Sequence, residues 1–131
     1  MPFELNSCNI IGFVPIVDVD RARKFYRDVL GLRHLGDELP YALVFESNGI
    51  MLRLGPVKER PNFPGTILGW NVPDAVAAVQ GLKKAGVQFE RYGFVEQDEN
   101  DVWTTPTGAK VAWFKDPDGN LLSVSQHPER S

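Results

Sequence analysis

The residues of this 131-residue chain that could make or break bonds are few and scattered. The single cysteine, Cys8, has neither histidine near it in sequence and no catalytic signature around it. It is therefore read as a half-buried free thiol rather than a nucleophile. His34 and His127, with Glu38 and Glu46, are of metal-ligating type, but no pair has a recognisable ligand spacing. Both histidines are read as surface or rim residues. The acidic run Glu96, Asp98, Glu99, Asp101 is either a solvated loop or a lure for a cationic ligand. Within the same polar stretch, QDENDVWTTP, Trp103 is a lone large aromatic. It could cover a cavity mouth as a lid, stack on a planar or cationic ligand, or fill a protein contact. Trp113 lies in the middle of an apolar run and is read as core.

The elements that must position these residues follow from periodicity and punctuation. Asn9 to Val17 is β-branched and apolar and reads as a strand. Asp18 is a good N-cap, and Val19, Ala22, Phe25, Tyr26, Val29 and Leu30 then recur at helical spacing up to Gly31. Strands are expected at Leu32 to Asp37, Ala42 to Glu46 and Ile50 to Leu54, the last two joined by a turn at Ser47-Asn48-Gly49. Val57 to Pro64 is polar, carries two prolines and reads as a linker. The order then repeats. Thr66 to Val72 is a strand, and Asp74 caps a helix with Val76, Val79, Leu82 and Ala85 on one face, closed by Gly86. Val87 to Tyr92 is a strand, and Val95 to Pro106 a polar excursion. Lys110 to Phe114 and Leu121 to Gln126 are strands joined by Asp116-Pro117-Asp118-Gly119, whose residue types suit a type I turn. The reading is an α+β fold of two tandem βαβββ modules: module 1 about 9–56, a linker at 57–64 and module 2 about 65–127, within one domain spanning 1–131.

Composition limits the partners. The chain is 43% hydrophobic and 24% charged, with a net charge of −3 and interspersed signs. No basic face is offered to nucleic acid. No apolar run approaches the roughly 18 residues of a membrane span, and the first residues do not pattern as a signal peptide. One cysteine without a disulfide partner fits a reducing cytoplasm.

DVDRARKFYRDVLGL (18–32) resembles the strand exit and helix of the vicinal oxygen chelate superfamily, the group of glyoxalase I, extradiol dioxygenases, fosfomycin-resistance enzymes and bleomycin-resistance proteins. AWFKDPDGNLLSVSQ (112–126) is similar to its closing hairpin, and Val72 to Phe89 to its second-module helix. The resemblance implies a cupped mixed sheet with helices on the convex face, a ligand in the concavity and frequent dimerisation. In metal-dependent members it also implies ligands on the first and last strand of each module. Here those four positions fall on Ile11, Arg53, Ile67 and Ser123. Isoleucine has no lone pair, arginine repels a cation, and a lone serine hydroxyl cannot hold a hard divalent ion.

The same matching, with strand alternation, turns Ile11, Phe13, Pro15, Met51 and Arg53 toward the cavity in module 1. In module 2 it turns Ile67, Gly69, Asn71, Leu121, Ser123 and Ser125. The other face carries Val14, Ile16, Leu52, Leu54, Leu68, Trp70, Val72, Leu122 and Val124, uniformly apolar as a helix-packed side requires. Arg53 is either a fork for a carboxylate or phosphate or the partner of a nearby acid such as Glu46. Phe13 is either a ligand contact or simple filling of the cup.

The expectation is a small-molecule binder without metal or other cofactor, possessing Phe13, Met51, Arg53, Asn71, Trp103, Ser123 and Ser125 as contacts and sequestering its ligand as a cytoplasmic homodimer. The rival expectations are a lyase or dioxygenase-like enzyme, whose unconventional metal site would need His34, His127 or Glu46 to converge, and an interaction domain with a filled cup.

Overall fold

The computed structural model of the chain describes residues 3–128. These fall into two compact units that divide between Pro61 and Asn62.

In the first unit, β1 (Ile11–Ile16) leads into α1 (Val19–Lys24), which runs on through one π-helical turn at Phe25–Val29. Three strands follow: β2 (Arg33–Glu38), β3 (Ala42–Ser47) and β4 (Ile50–Pro56). The sheet order is β1-β4-β3-β2, with β1 parallel to β4 and the other pairs antiparallel. Asp18 starts the helix by accepting a hydrogen bond from the Arg21 backbone N–H at 3.1 Å, which satisfies one donor of the open first turn. Ala22 and Tyr26 are wholly buried, and the Tyr26 ring lies 6.1 Å from that of Phe45 on β3. The β3–β4 hairpin closes on Asn48 and Gly49, both with positive φ, 50° and 83°. These are the conformations a two-residue turn between twisted strands requires.

The second unit repeats the plan. β5 (Leu68–Asn71) is followed by α2 (Ala75–Lys84), capped by Asp74 through the Ala77 backbone N–H at 3.1 Å. Then come β6 (Trp103–Thr104), β7 (Lys110–Lys115) and β8 (Leu121–Gln126), in the sheet order β5-β8-β7-β6 with β5 parallel to β8. Val79 of α2, Phe114 of β7 and Leu122 of β8 are fully buried. Each such side chain contributes about 1.5–3 kcal/mol by leaving water. The β7–β8 turn is built on Asp116, whose carboxylate accepts from the Asp118 and Asn120 backbone N–H groups and from Asn120 Nδ2, each at 2.9 Å.

One expected strand is corrected. Val87 to Tyr92 does not take the fourth place in the second sheet; it makes a single bridge, Phe89 to Phe114, and the Glu90 N–H donates to the Trp113 carbonyl. The place beside β7 goes to Trp103–Thr104, inside the stretch read as an excursion. The reason is local. Gln97 Oε1 accepts from the Tyr92 N–H at 2.7 Å, and Gln97 Nε2 donates to the Glu90 carbonyl at 2.9 Å. Backbone groups that would have extended the ladder are held by a side chain instead. Among the described residues, no helix is long and apolar enough to cross a membrane.

Candidate functional site

Each sheet has one face packed on its helix and one face open. In the first unit Val14, Ile16, Leu52 and Leu54 are buried, while Ile11 and Phe13 are exposed and Pro15, Met51 and Arg53 half-buried. Phe13 retains 71% of its surface, so it fills no core. Phe13 and Arg53 are partners across the β1–β4 ladder, and Val44 follows Arg53 across β3–β4. Phe13, Pro15, Tyr41, Ala42, Arg53 and Val57 help line a pocket of about 460 Å³. The guanidinium of Arg53 donates to Glu38 Oε1 at 3.0 Å and approaches Met51 Sδ at 3.9 Å. The acid is therefore Glu38, not Glu46, which lies 3.4 Å from Arg33. A bulge in β2 between His34 and Gly36 decides this. It reverses the alternation, so that Gly36 and Glu38 share the open face with Val44 and Ala42.

The same bulge leaves His34 on the helix side. Its ring stacks on Phe45, with centroids 4.8 Å apart, and its Nε2 lies 2.7 Å from Asp37 Oδ1. Asp37 in turn accepts from Arg23 of α1 at 2.7 Å. The Arg23 hydrogen bonds, with His34 adding to them, hold the Asp37 carboxyl below its ordinary pKa. This cluster ties the helix to the sheet.

On the open face of the second sheet, register places Gly69 and Trp113 against Ser123, and Asn71 and Val111 against Ser125. Trp103 pairs with Val111. Trp113 is thus not a core residue, as its position in the strand suggested. Its neighbours Ala112 and Phe114 are buried, and Trp113 stands among the open-face residues, stacked on Trp103 with centroids 6.0 Å apart. Tyr92 meets Trp113 edge-on at 5.4 Å and stacks on Phe94 at the same distance. The result is a run of four rings, Phe94, Tyr92, Trp113 and Trp103, beside Asn71, Ser123 and Ser125. Burial, with Glu90 nearby, pushes the Tyr92 phenol above its ordinary pKa. Ser125 Oγ lies 2.9 Å from His127 Nε2. A methyl group on Gly69 would stand 2.7 Å from Ser123 Oγ, so glycine is what lets that hydroxyl sit where it does. Sequence reading missed Tyr92, Phe94 and the placement of Trp113. The fixed register of the Asp116 turn was the signal for Trp113, since counting back from it pairs residue 113 with residue 123.

The acidic loop is mainly structural. Asp101 is bound by Lys83 at 2.8 Å and by Arg91. Burial, the largest influence, pushes its carboxyl up, but the Lys83 and Arg91 hydrogen bonds and charges bring it below its ordinary pKa. Asp98 accepts from the Asn100 and Val102 backbone N–H groups. Glu96, Gln97, Asp98, Val102, Trp103 and Thr104 border a second pocket of about 440 Å³. Cys8 is exposed rather than half-buried; its Sγ lies 3.7 Å from the Glu4 carbonyl.

A divalent ion does not fit the four positions at which the resemblance puts its ligands. Ile11 and Arg53 stand on the first open face and Ser123 on the second, and none of these, nor Ile67, supplies an anionic or imidazole donor. Among the described residues no three His, Cys, Asp or Glu side chains gather in a metal-holding group. His34 and Glu46 cannot form the nucleus of an unconventional site, because they point to opposite faces of one sheet.

Two βαβββ modules, each with a helix-packed and an open sheet face, define an α+β scaffold of a widespread type. The model of the Glyoxalase/Bleomycin resistance protein/Dioxygenase superfamily matches residues 8–124, and the chain belongs to this family. Among solved structures, the bleomycin resistance determinant encoded on transposon Tn5 superposes with a TM-score of 0.72 at 18% identity, covering 94% of this chain and 100% of that one. TnmS3, an antibiotic binding protein from Streptomyces sp., gives 0.65 at 24% identity over 93% and 97%. A lactoylglutathione lyase from Agrobacterium tumefaciens gives 0.68 at 21% identity over 92% and 93%. At these identities the likeness is one of fold. No curated protein sequence matches the chain.

Proposed function

We propose that the chain is a small-molecule binding protein that holds its ligand through stacking, apolar contact and a few hydrogen bonds, without a metal, and sequesters it unchanged. The contact residues are Phe13, Met51 and Arg53 on the first open face and Asn71, Trp103, Ser123 and Ser125 on the second. The protein acts as a cytoplasmic homodimer. The observation that carries the reading is the ring series ending in Trp103 and Trp113, 6.0 Å apart, set beside the Ser123 and Ser125 side of an open sheet. Large rings on an open face with few polar groups among them are what a stacking site needs. That one structural neighbour is a bleomycin resistance determinant and another an antibiotic binding protein supports the same reading.

Titrating purified protein with a panel of planar neutral, cationic and anionic compounds while following tryptophan fluorescence tests it. At least one compound is expected to give a saturable change, and Trp103→Ala to weaken that compound about 3- to 10-fold. Silence across the panel, or one tightly held divalent ion per chain in elemental analysis, overturns the reading. Sedimentation velocity reads the dimer.

A further inference from the structure

Among the described residues, Arg53 is the one charged side chain lining the 460 Å³ pocket of the first unit, and the rest of that lining is apolar or aromatic. Its side chain keeps only 24% of its surface exposed, whereas that of its partner Glu38 keeps 60%. A partly desolvated cation needs a counter-charge, while an exposed carboxylate returns to water at little cost. The pairing is also incomplete. One Arg53 nitrogen donates to one oxygen of Glu38, and another faces only the thioether of Met51. A guanidinium is built to give two parallel bonds to one carboxylate.

Glu38 comes from the end of β2, and a hydrogen bond from the Tyr41 N–H to the Glu38 carbonyl at 2.8 Å closes the turn after it. That turn also carries Tyr41, which is 79% exposed and lines the pocket. Phe13 offers a second exposed ring there. The pocket volume lies within the range of about 300–1,000 Å³ usual for small-ligand sites.

From this geometry we infer that the pocket takes an organic monoanion with an apolar body, whose carboxylate displaces Glu38 from Arg53. Glu38 is the internal competitor that keeps the guanidinium neutralised when the pocket is empty. The inference rests on the binding role proposed above and names the ligand class for the first open face. The apolar body is aromatic or aliphatic, since Phe13 and Tyr41 suit both.

Isothermal titration calorimetry on the full chain tests this with naphthoate, the neutral naphthamide of the same shape, a naphthylmethylammonium salt and decanoate. Naphthoate or decanoate is expected to bind, and naphthoate about tenfold or more tighter than the amide, the usual advantage of a charge-assisted fork. Arg53→Gln removes that preference, and Arg53→Lys keeps only part of it. Glu38→Gln, which deletes the competitor, tightens the acid about two- to fivefold. A stronger response to naphthoate than to decanoate marks an aromatic body, and the reverse an aliphatic one. The acid-to-amide ratio on unaltered protein decides the matter even where an Arg53 variant does not fold. Equal binding of acid and amide, tighter binding of the ammonium salt, or no heat from either acid overturns the inference. If tryptophan fluorescence still responds to other compounds, the binding role stands and only the ligand class falls. Silence in both measurements removes both.

Discussion

The two open sheet faces differ where the two helix-packed faces agree. On the packed side, Leu52 and Leu54 of β4 correspond to Leu122 and Val124 of β8, all buried. On the open side, the first module pairs Phe13 with Arg53, and the second places Gly69 against Ser123. The first face is charged and dented, with ion pairs from Arg53 to Glu38 and Arg33 to Glu46. The second is built of stacked rings. Close packing against a helix favours apolar side chains of suitable volume on the strands beneath it, so the repeat is legible there. The open side carries no such constraint, and each module uses it differently.

The sharpest test of the shared side is a pair of matched truncations. Leu52→Ala and Leu122→Ala should each cost about 2–5 kcal/mol in denaturant unfolding, because each leaves a cavity in a buried layer. A surface-like cost at one of them would break the equivalence of the two cores.

The two closing hairpins come next and should separate. Asp116→Ala removes a nearly buried carboxylate that serves three donors, and should cost about 2–4 kcal/mol. In the first module the turn rests on the positive φ of Asn48 and Gly49, with the Asn9 side-chain amide donating to the Gly49 carbonyl at 3.1 Å. Gly49→Ala, at φ 83°, should cost about 1–2 kcal/mol. Thermal melts of both variants check the order.

The smallest effect is in acid. Both modules have a carboxyl held below its ordinary pKa of 3.8: Asp37 by Arg23 and His34, and Asp101 by Lys83 and Arg91 against the opposing effect of burial. For a depressed carboxyl, the unfolded chain binds the proton first as pH falls. The stabilisation is therefore full above the ordinary value and is lost as pH drops through the folded one. Asp37→Asn and Asp101→Asn should each lower stability near neutral pH and converge on the parent once pH falls below the depressed folded-state value. Urea unfolding between neutral pH and strong acid measures this, and a constant offset at all pH values would show that the ion pairs are not its source.

Much of the scaffold was legible because its signals are local. Asp18 and Asp74 as caps, Asn48-Gly49 as a hairpin turn and the inward-outward alternation of β1, β4, β5 and β8 all stand in the structure as read. The alternation located Phe13, Met51, Arg53, Asn71 and Ser125 on open faces, since a period of two needs no tertiary information; Ser123 shares that face by register but is buried. It failed where something interrupted the period. The bulge at His34/Gly36 moved Glu38 onto the face of Arg53 and left His34 on the helix side. Gln97 took the backbone groups of Glu90 and Tyr92 and gave the sheet edge to Trp103.

By itself, then, the sequence determined the repeated βαβββ order, the apolar layer under each helix and the lack of metal donors at Ile11, Arg53, Ile67 and Ser123. Residue type and short-range spacing suffice for the first two, and the resemblance to the superfamily supplies the four positions of the third. Only the tertiary structure decided which acid meets Arg53 and which rings meet Trp113. Those contacts join segments 10 or more residues apart, as in Glu38 to Arg53 and Trp103 to Trp113. A one-residue bulge or a single side-chain hydrogen bond is enough to redirect them, and neither leaves a mark in composition or periodicity.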